Sequence, residues 1–429
     1  MIRRMRRTTR HRLLTFSALL LLALAIAGVW AIVGEPDASS APPEATSAST
    51  PELASDTEEK PVVDPRDGLT LDPEQFELVD GAYLQRLADG RVVHLTLVPE
   101  LQRSIEKQLN SRDGGGKYKV PHGGVVALEA ATGRVLAIVS ASHGSQAVEH
   151  YALRAQAPSA SVFKLVTAAA LLEFAQIDPD RPVCYKGGSQ YLSEDEIRGD
   201  SVSQEDHCAT LSEALGWSIN AVISRLALNN LSKEDLEEMA SSFGFNREIP
   251  FELPVQVSEA TFVDDDVERA RTAAGFWNVN LSPMHGALIA SALRNDGVIM
   301  RPTLVDRIED AQGRVLFTSK PEPWLTTVTA ARAKTLSQLA ESTTTNGSAA
   351  KAFSKRKEWP ADLKVTGKTG TLANKSPALT FTWFVGATTG DTDIAVGALI
   401  TNTPKWWFKG MHAAANAILT YDKIVRRSK

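Results

Sequence analysis

The stretch APSASVFKLVTAAALLE, residues 157–173, opens with small residues and a proline and continues as an apolar run. The run predicts a buried helix over about residues 160–176. Within it, Lys164 follows Ser161 by three positions. A buried lysine is costly unless its amine is paired or used, and residues at i and i+3 share one face of a helix. The spacing therefore predicts that the Lys164 amine reaches the Ser161 hydroxyl.

The Ser161–Lys164 pair suits nucleophilic chemistry. A serine hydroxyl is a weak nucleophile until a base takes its proton. A lysine amine can be that base when burial and neighbouring positive charge lower its pKa. The start of the helix also supplies backbone N–H groups that can hold a developing oxyanion. Taken alone, the same spacing is also typical of a surface lysine near a helix-capping serine.

A second polar motif, Ser218-Ile219-Asn220, lies in GWSINAVISRLAL. It opens another apolar helical stretch, so its two polar side chains should lie in a loop or in the first helical turn. A simple N-cap is the alternative interpretation, because serine is a favoured capping residue.

A third motif, Lys368-Thr369-Gly370-Thr371, lies in VTGKTGTLANK, which predicts a strand. The lysine supplies positive charge, the threonines supply hydroxyls, and the glycine lets a ligand approach the backbone closely. These properties suit a strand that lines a cleft. An ordinary polar turn before a strand is the alternative.

In this order, the three motifs are the signature of penicillin-binding proteins and related β-lactamases. Over roughly residues 95–425, the sequence resembles the penicillin-binding transpeptidase family. The resemblance implies an α+β fold in which helices cover an antiparallel sheet, with a helical subdomain. The strand-like runs agree, since the hairpin GGVVALEAATGRVLAIVSA comes early and three strands come late. Both ends of the domain should therefore build one sheet.

The resemblance also implies a role for each motif residue. Ser161 would attack the D-Ala-D-Ala end of a peptidoglycan stem peptide and form an acyl-enzyme, with Lys164 as the base. Ser218 and Asn220 would relay protons and bind the peptide, and Lys368 would help to lower the pKa of the base. The expected substrate-binding residues are Thr369, Gly370 and Thr371, and backbone N–H groups of Ser161 and Thr371 would hold the oxyanion. No metal or other cofactor is expected.

Because β-lactams mimic D-Ala-D-Ala, the family's site also accepts them, and penicillin should acylate Ser161. Three alternatives stay open. The protein would be a D,D-carboxypeptidase that only trims pentapeptides, a serine β-lactamase of the same fold, or a non-enzymatic penicillin-binding scaffold. A glycosyltransferase or a wall-synthesis complex is the kind of protein partner that the resemblance suggests.

The first part of the chain predicts membrane attachment. Residues 1–12, MIRRMRRTTRHR, contain six arginines and no acid, and residues 13–33 form an uncharged apolar span of 21 residues. Such a span can cross the cytoplasmic (inner) membrane as one helix, with the basic tail in the cytoplasm. A cleaved signal peptide is the alternative, and either one exports the rest of the chain. The expected order is then a disordered linker at 34–66, a small membrane-proximal segment at 67–110 and the transpeptidase domain at 111–429.

Charge and cysteine content bear on nucleic-acid binding, on disulfide formation and on metal binding. The chain has 46 Lys and Arg against 51 Asp and Glu, which gives no basic field for a nucleic acid. Its two cysteines, Cys184 and Cys208, flank a polar segment. In an exported domain they predict one disulfide, although two free buried thiols are the alternative. A metal site is not expected, since His207 is the one histidine nearby and the chain has no Cys-x-x-Cys.

Overall fold

The computed structural model of the protein has an α+β fold over the residues that it describes, which are 65–66, 69–111, 120–143, 148–187, 192–199, 207–375, 378–403 and 408–429. Their strands are β1 (Glu77–Val79), β2 (Ala82–Arg86), β3 (Val92–Leu95), β4 (His122–Leu128), β5 (Val135–Ser142), β6 (Ala157–Pro158), β7 (Val183–Tyr185), β8 (His207–Ala209), β9 (Asn280–Leu281), β10 (Val298–Met300), β11 (Val305–Glu309), β12 (Val315–Thr318), β13 (Pro323–Thr326), β14 (Val365–Lys375), β15 (Ala378–Thr388) and β16 (Ala395–Asn402). Their α-helices are α1 (Pro99–Asn110), α2 (Lys164–Glu173), α3 (Glu194–Arg198), α4 (Leu211–Gly216), α5 (Asn220–Asn230), α6 (Lys233–Ser242), α7 (Asp266–Ala273), α8 (Pro283–Arg294), α9 (Ala330–Thr345) and α10 (Gly410–Ser428). This architecture confirms the predicted α+β class.

A five-stranded antiparallel sheet, in the order β14-β15-β16-β4-β5, forms the centre of the fold. β4 and β5 are the early hairpin, and β14 to β16 are the three late strands, so the prediction of one sheet built from both ends of the domain is confirmed. β16 joins the two groups, because it pairs with β4 from Ala395↔Leu128 to Thr401↔His122. β14 lies at the edge of this sheet, against the 3₁₀ turn Ala160–Phe163.

Helices cover both faces of the central sheet. α8 packs on one face, against β15, β16 and β4, and is buried from Pro283 to Leu293. The two backbones approach closely, since a Cβ at Gly397 would lie 2.1 Å from the Pro283 carbonyl oxygen. α1 and α10 pack on the other face, where α10 buries Ala413 and Ala417. With both faces covered, β16 is buried along its whole length.

The helices between the two groups of strands pack around α2. This helix contacts α4, α5, α6 and α9, and every residue from Lys164 to Leu172 is buried. A helix that is apolar on all sides belongs in a core, and α2 has that composition apart from Lys164, Thr167 and its last residue, Glu173. The start of α2 and the start of α5 carry the residues of the first two sequence motifs.

A second five-stranded sheet, in the order β1-β2-β3-β11-β12, joins distant parts of the chain. β3 pairs antiparallel with β11, with Val93 opposite Ile308. The segment at 67–110, expected to be a small membrane-proximal segment, contains β1, β2 and β3, and these strands share the sheet with β11 and β12. The helix α1 of the same segment packs on β5 of the central sheet.

Cys184 and Cys208 form a disulfide across the two-stranded sheet of β7 and β8, where they lie directly opposite each other. The Arg225 guanidinium on α5 donates to the backbone carbonyls of Cys184 and Glu196. These contacts hold the disulfide-bearing strands and α3 against α5.

The predicted basic tail at 1–12 and transmembrane helix at 13–33 lie outside the described residues, as does almost all of the linker at 34–66. No helix within the described ranges has the length and hydrophobicity of a bilayer-spanning segment.

Candidate active site

Ser161 lies in the 3₁₀ turn Ala160–Phe163, which leads directly into α2. The single helix predicted over 160–176 is therefore split, and it ends earlier, at Glu173. A 3₁₀ helix has three residues per turn, so side chains at i and i+3 are eclipsed. This geometry places Lys164 Nζ 3.0 Å from Ser161 Oγ, as the spacing predicts.

Hydrogen bonds fix the segment that precedes Ser161. The Trp383 indole N–H, on β15, donates to the Pro158 carbonyl at 2.9 Å. The Ser159 N–H donates to the Val279 carbonyl at 2.9 Å. Pro158 also belongs to β6, which pairs with β9. The segment is thus tied to the central sheet on one side and to the strand before α8 on the other.

The Lys164 side-chain amine is buried among oxygen atoms of the second motif. Besides Ser161, its Nζ lies 3.0 Å from the Ser218 carbonyl oxygen and 3.1 Å from the Ser218 hydroxyl oxygen. It also donates to Asn220 Oδ1. Ser218 has a left-handed backbone, with φ 61°, which is rare for a residue other than glycine. In this conformation its carbonyl and hydroxyl both contact the amine just before α5 begins.

The two lysines of the motifs are both buried, and burial favours the neutral form of an amine. It lowers the pKa of Lys164 well below its usual value, and the nearby charge of Lys368 lowers it further. Burial lowers the pKa of Lys368 to about 7. No carboxylate of the described residues offsets this effect for either lysine. A neutral Lys164 can take a proton from Ser161, while a cationic Lys368 can hold an anion.

β14 brings the third motif to the same place. The Lys368 ammonium group donates to the Thr369 carbonyl at 3.0 Å. Gly370 faces the nucleophile segment so closely that a Cβ there would lie 3.1 Å from the Ser159 carbonyl oxygen. Thr369 is half-buried and Thr371 is exposed. The strand therefore presents a buried cation together with hydroxyls that a ligand can reach.

Ser348 adds a hydroxyl that the sequence motifs do not indicate. It follows α9, and its Oγ lies 2.7 Å from Thr369 Oγ1. Its N–H donates at 2.9 Å to the carbonyl of Gly216, the last residue of α4, which precedes the second motif. Sequence reasoning missed it because it has no regular spacing from any motif. The usable signal was the Asn346-Gly347 pair, which predicts a turn at the end of a helix.

Two exposed tryptophans lie on loops that contact the reactive segments, and sequence pattern did not single them out. Trp217, next to Ser218, is 58% exposed, and Trp277 is 54% exposed. Trp277 has a left-handed backbone, with φ 47°. It lies two residues after Gly275, where a Cβ would lie 1.9 Å from the Ala160 carbonyl oxygen. Loop residues follow no period, so their exposure cannot be read from the sequence.

The predicted site residues converge from three separate segments of the chain, while the disulfide lies elsewhere, on the β7–β8 pair. A hydroxyl beside a neutral amine, a second hydroxyl in contact with that amine and a buried cation can together carry out acyl transfer. In chain order the residues are Ser161 and Lys164, then Ser218 and Asn220, then Lys368, Thr369, Gly370 and Thr371.

The family model of the penicillin binding protein transpeptidase domain matches residues 123–421. Peptidoglycan D,D-transpeptidase PbpA from Mycolicibacterium smegmatis is 28% identical over 358 residues, which cover 74% of this chain and 70% of that protein. The crystal structure of the D,D-transpeptidase domain of a peptidoglycan glycosyltransferase from Eggerthella lenta is 25% identical, with a TM-score of 0.63 over 78% of this chain and 83% of that one. The imipenem acyl-enzyme structure of penicillin-binding protein A from M. tuberculosis shares the fold at 22% identity, with a TM-score of 0.63 over 76% of this chain and 79% of that one. The family match spans most of the sequence and includes all three motifs, so it confirms the resemblance, and the chain belongs to the penicillin-binding protein transpeptidase family.

Proposed function

We propose that this protein is a penicillin-sensitive serine D,D-transpeptidase, which joins peptidoglycan stem peptides through an acyl-enzyme on Ser161. The observation that carries the proposal is the Lys164 amine, buried beside a second lysine and 3.0 Å from the Ser161 hydroxyl. Burial and repulsion between the two amines favour a neutral Lys164, the form that accepts a proton. Family membership supports the same reaction, since the M. smegmatis relative is named a peptidoglycan D,D-transpeptidase.

In the acylation step, Ser161 Oγ attacks the carbonyl carbon of the penultimate D-Ala, and Lys164 Nζ accepts the hydroxyl proton. The carbonyl oxygen becomes an oxyanion, for which the backbone N–H groups of Ser161 and Thr371 are the proposed donors. As the C–N bond breaks, the leaving nitrogen takes the proton through the Ser218 hydroxyl, which lies 3.1 Å from Lys164 Nζ. The products are an ester on Ser161, free D-Ala and a neutral Lys164.

In the second step, the amine of another stem peptide attacks the ester carbon. Its proton passes to Lys164 and then to Ser161 Oγ as the ester bond breaks, which restores the enzyme and leaves a new peptide bond. Asn220, whose side-chain oxygen accepts from Lys164, holds the base in place through both steps. Lys368, Thr369 and Thr371 are the proposed site for the terminal carboxylate, and Gly370 leaves room for the peptide backbone.

β-Lactams should acylate the same serine, because the lactam amide takes the place of the scissile peptide bond. Attack by Ser161 opens the ring, and the former leaving group stays covalently attached. It therefore blocks the approach of an acceptor amine, and the adduct persists. The M. tuberculosis structure with the same fold is an acyl-enzyme complex with imipenem, which supports this proposal.

We also propose that residues 13–33 anchor the protein in the cytoplasmic membrane by one helix, with residues 1–12 in the cytoplasm and the catalytic domain on the extracytoplasmic side. The uncharged span and the arginines before it support this topology. The disulfide fits an oxidising compartment. A glycosyltransferase or a wall-synthesis complex is the proposed protein partner. Intact mass of the protein extracted from membranes tests the anchor, since loss of the first 33 residues would show a cleaved signal peptide instead.

The substitution Ser161→Ala tests the nucleophile. Fluorescent penicillin should label the wild-type protein in a long-lived adduct and should not label the variant, whose thermal unfolding should stay cooperative. Ser159→Ala is the matched control, because Ser159 lies in the same segment and its variant should still be labelled. Labelling of the Ser161→Ala protein at another serine would refute the assignment.

Incubation with a pentapeptide and an acceptor peptide separates the alternatives. Mass spectrometry of the products should show the cross-linked peptide. Loss of D-Ala without cross-linking would indicate a carboxypeptidase, and steady nitrocefin turnover would indicate a β-lactamase. A protein that supports growth equally well with Ser161→Ala would be a scaffold.

A further inference from the structure

The hydroxyl of Ser348 differs from the other hydroxyls at the end of α9. Thr345 and Ser354 both donate to backbone carbonyls of that helix, and so satisfy groups that a helix end leaves open. Ser348 instead shares a 2.7 Å hydrogen bond with the Thr369 hydroxyl, in an exposed position. Because its partner is a hydroxyl on β14, the Ser348 side chain does not help to satisfy the carbonyl groups at the end of α9.

We propose that Ser348 is a specificity-determining residue of this site, which binds the terminal carboxylate of the stem peptide together with Thr369. This inference rests on the proposed transpeptidase function and adds to it a residue from outside the three sequence motifs. Three features of the structure support it.

The first feature is the number of hydroxyl protons. Each hydroxyl has one proton to donate and can accept hydrogen bonds on its oxygen. In the Ser348–Thr369 pair, one proton is used between the two oxygens, whichever residue donates it. The other proton is left for an acceptor outside the pair, and hydrogen bonds in a chain strengthen one another. The pair therefore offers a polarised donor to an incoming ligand.

The second feature is the charge of Lys368, whose ammonium group donates to the Thr369 carbonyl at 3.0 Å. Lys368 precedes Thr369 on β14 and is buried, and no carboxylate of the described residues compensates its charge. An anionic ligand at the Ser348–Thr369 pair would supply the missing negative charge. A neutral amide group at the same place would not, so the site should distinguish an acid from its amide.

The third feature is the rigidity of the Ser348 backbone. Its N–H donates to the Gly216 carbonyl at 2.9 Å. The preceding residue, Gly347, packs so closely that a Cβ on it would lie 2.3 Å from the same carbonyl oxygen. Ala349 donates to the Thr343 carbonyl at 2.9 Å, which fixes the other side of the turn. The hydroxyl is thus held at a set position relative to β14, as precise recognition of a carboxylate requires.

The test uses the full chain and two substrates, a peptide ending in D-Ala-D-Ala and the same peptide with a C-terminal amide. The matched variants are Ser348→Thr, which keeps the hydroxyl, and Ser348→Val, which has a similar shape without it. Losing a hydrogen bond to a charged group should lower kcat/KM by roughly 10-fold or more. We expect that loss for Ser348→Val with the acid, a change of less than about twofold with the amide, and near wild-type values for Ser348→Thr.

Thr345→Ala is the control for a nearby hydroxyl that bonds only its own helix, and it should leave both substrates unaffected. Equal losses on the acid and the amide with Ser348→Val would overturn the inference, because Ser348 would then only position the neighbouring loop. No loss on either substrate would also overturn it. If the wild-type protein neither cleaves the acid nor is acylated by penicillin, the proposed function itself fails and this inference fails with it.

Discussion

At the scale of single residues, two buried amines determine both the chemistry and the stability of the site. Lys164 Nζ lies within hydrogen-bond distance of four oxygen atoms, on Ser161, Ser218 and Asn220, which is more than its protons can bond at one time. Lys368 is equally buried, and its ammonium group donates to the Thr369 carbonyl. Burial makes a charge costly on both amines, and Lys164 avoids that cost in its neutral form, whereas Lys368 bears it whenever it is cationic.

Replacing Lys368 with methionine should stabilise the fold while abolishing penicillin labelling. Burial lowers the pKa of this lysine to about 7 from a usual 10.5, so between these values the unfolded chain binds more protons than the folded one. The destabilisation caused by burying a charged Lys368 is present in full below about pH 7, and it disappears as the pH rises towards 10.5. Thermal unfolding from pH 6 to 10 should show a melting temperature several degrees higher for Lys368→Met at pH 6, with a gap that narrows at high pH. A gap that widens with pH, or a less stable variant at pH 6, would contradict this.

Sequence spacing is informative about these residues only where a local period fixes the contact. The Ser161–Lys164 contact follows from i and i+3 positions in one turn, and the structure contains it. The contact of Ser348 with Thr369 depends on how the end of α9 packs against β14 and the end of α4. No period connects these segments, so the sequence does not indicate the contact.

At the scale of elements, the site depends on how closely β14 approaches the turn that carries Ser161. Gly370 lies at this contact, opposite Trp383 in the sheet. A Cβ at Gly370 would lie 3.1 Å from the Ser159 carbonyl oxygen and 3.2 Å from Val162 Cγ2. Backbone atoms cannot move aside cheaply, so a side chain there should push the strand away from the nucleophile.

Gly370→Ala should therefore slow acylation by penicillin roughly 10- to 100-fold, since small displacements of reacting groups have large effects on rate. The matched control is Gly390→Ala, where the nearest atom to the new Cβ would be the Asp362 carbonyl oxygen at 3.9 Å. Stopped-flow measurement of the acylation rate constant, with melting temperatures to verify folding, decides the matter. Equal rates for both variants and the wild type would show that the approach of β14 is not limiting.

The difference between the predicted helix at 160–176 and the observed elements has a local cause. Ala160 and Gln176 both have left-handed backbones, with φ 48° and 49°, which a regular helix does not allow. At the N-terminal end, the hydrogen bond from the Trp383 indole N–H to the Pro158 carbonyl fixes the backbone just before Ala160. Apolar periodicity predicts that a helix exists, but its ends are set by tertiary contacts of this kind.

At the scale of the whole molecule, the disulfide stabilises a part of the fold that leads into the site. Cys184 and Cys208 are separated by 24 positions, and α4 and Ser218 follow the second cysteine. Removing the cross-link by a Cys184→Ser/Cys208→Ser double substitution should lower the free energy of unfolding by about 3 kcal/mol, from chain entropy alone. Urea unfolding should show this loss, and wild-type protein unfolded in reductant should match the variant. Equal stability with and without the bond would contradict the expectation.

The sequence predicts the central sheet better than it predicts the second sheet. Strand patterns at 123–142 and 365–402 are long, apolar and bounded by turns, and the family resemblance supplies their pairing. The pairing of β3 with β11 joins short strands far apart in the chain, both of which are only partly buried. Short strands carry a weak pattern, and nothing in their composition identifies the partner.

The order of strands in the central sheet also affects how the protein is made. β4 and β5 are complete when the ribosome reaches Ser142, but their neighbour β16 begins only at Ala395. At usual rates of synthesis the open edge of β4 waits roughly 10–50 s for its partner. Until β14 and the strands that pair with it have been made, a nascent chain contains Ser161 but lacks the strand that lies against the Ser161 turn. Such a chain should not react with penicillin. Reactivity with the antibiotic would thus mark finished molecules and leave incomplete ones unlabelled.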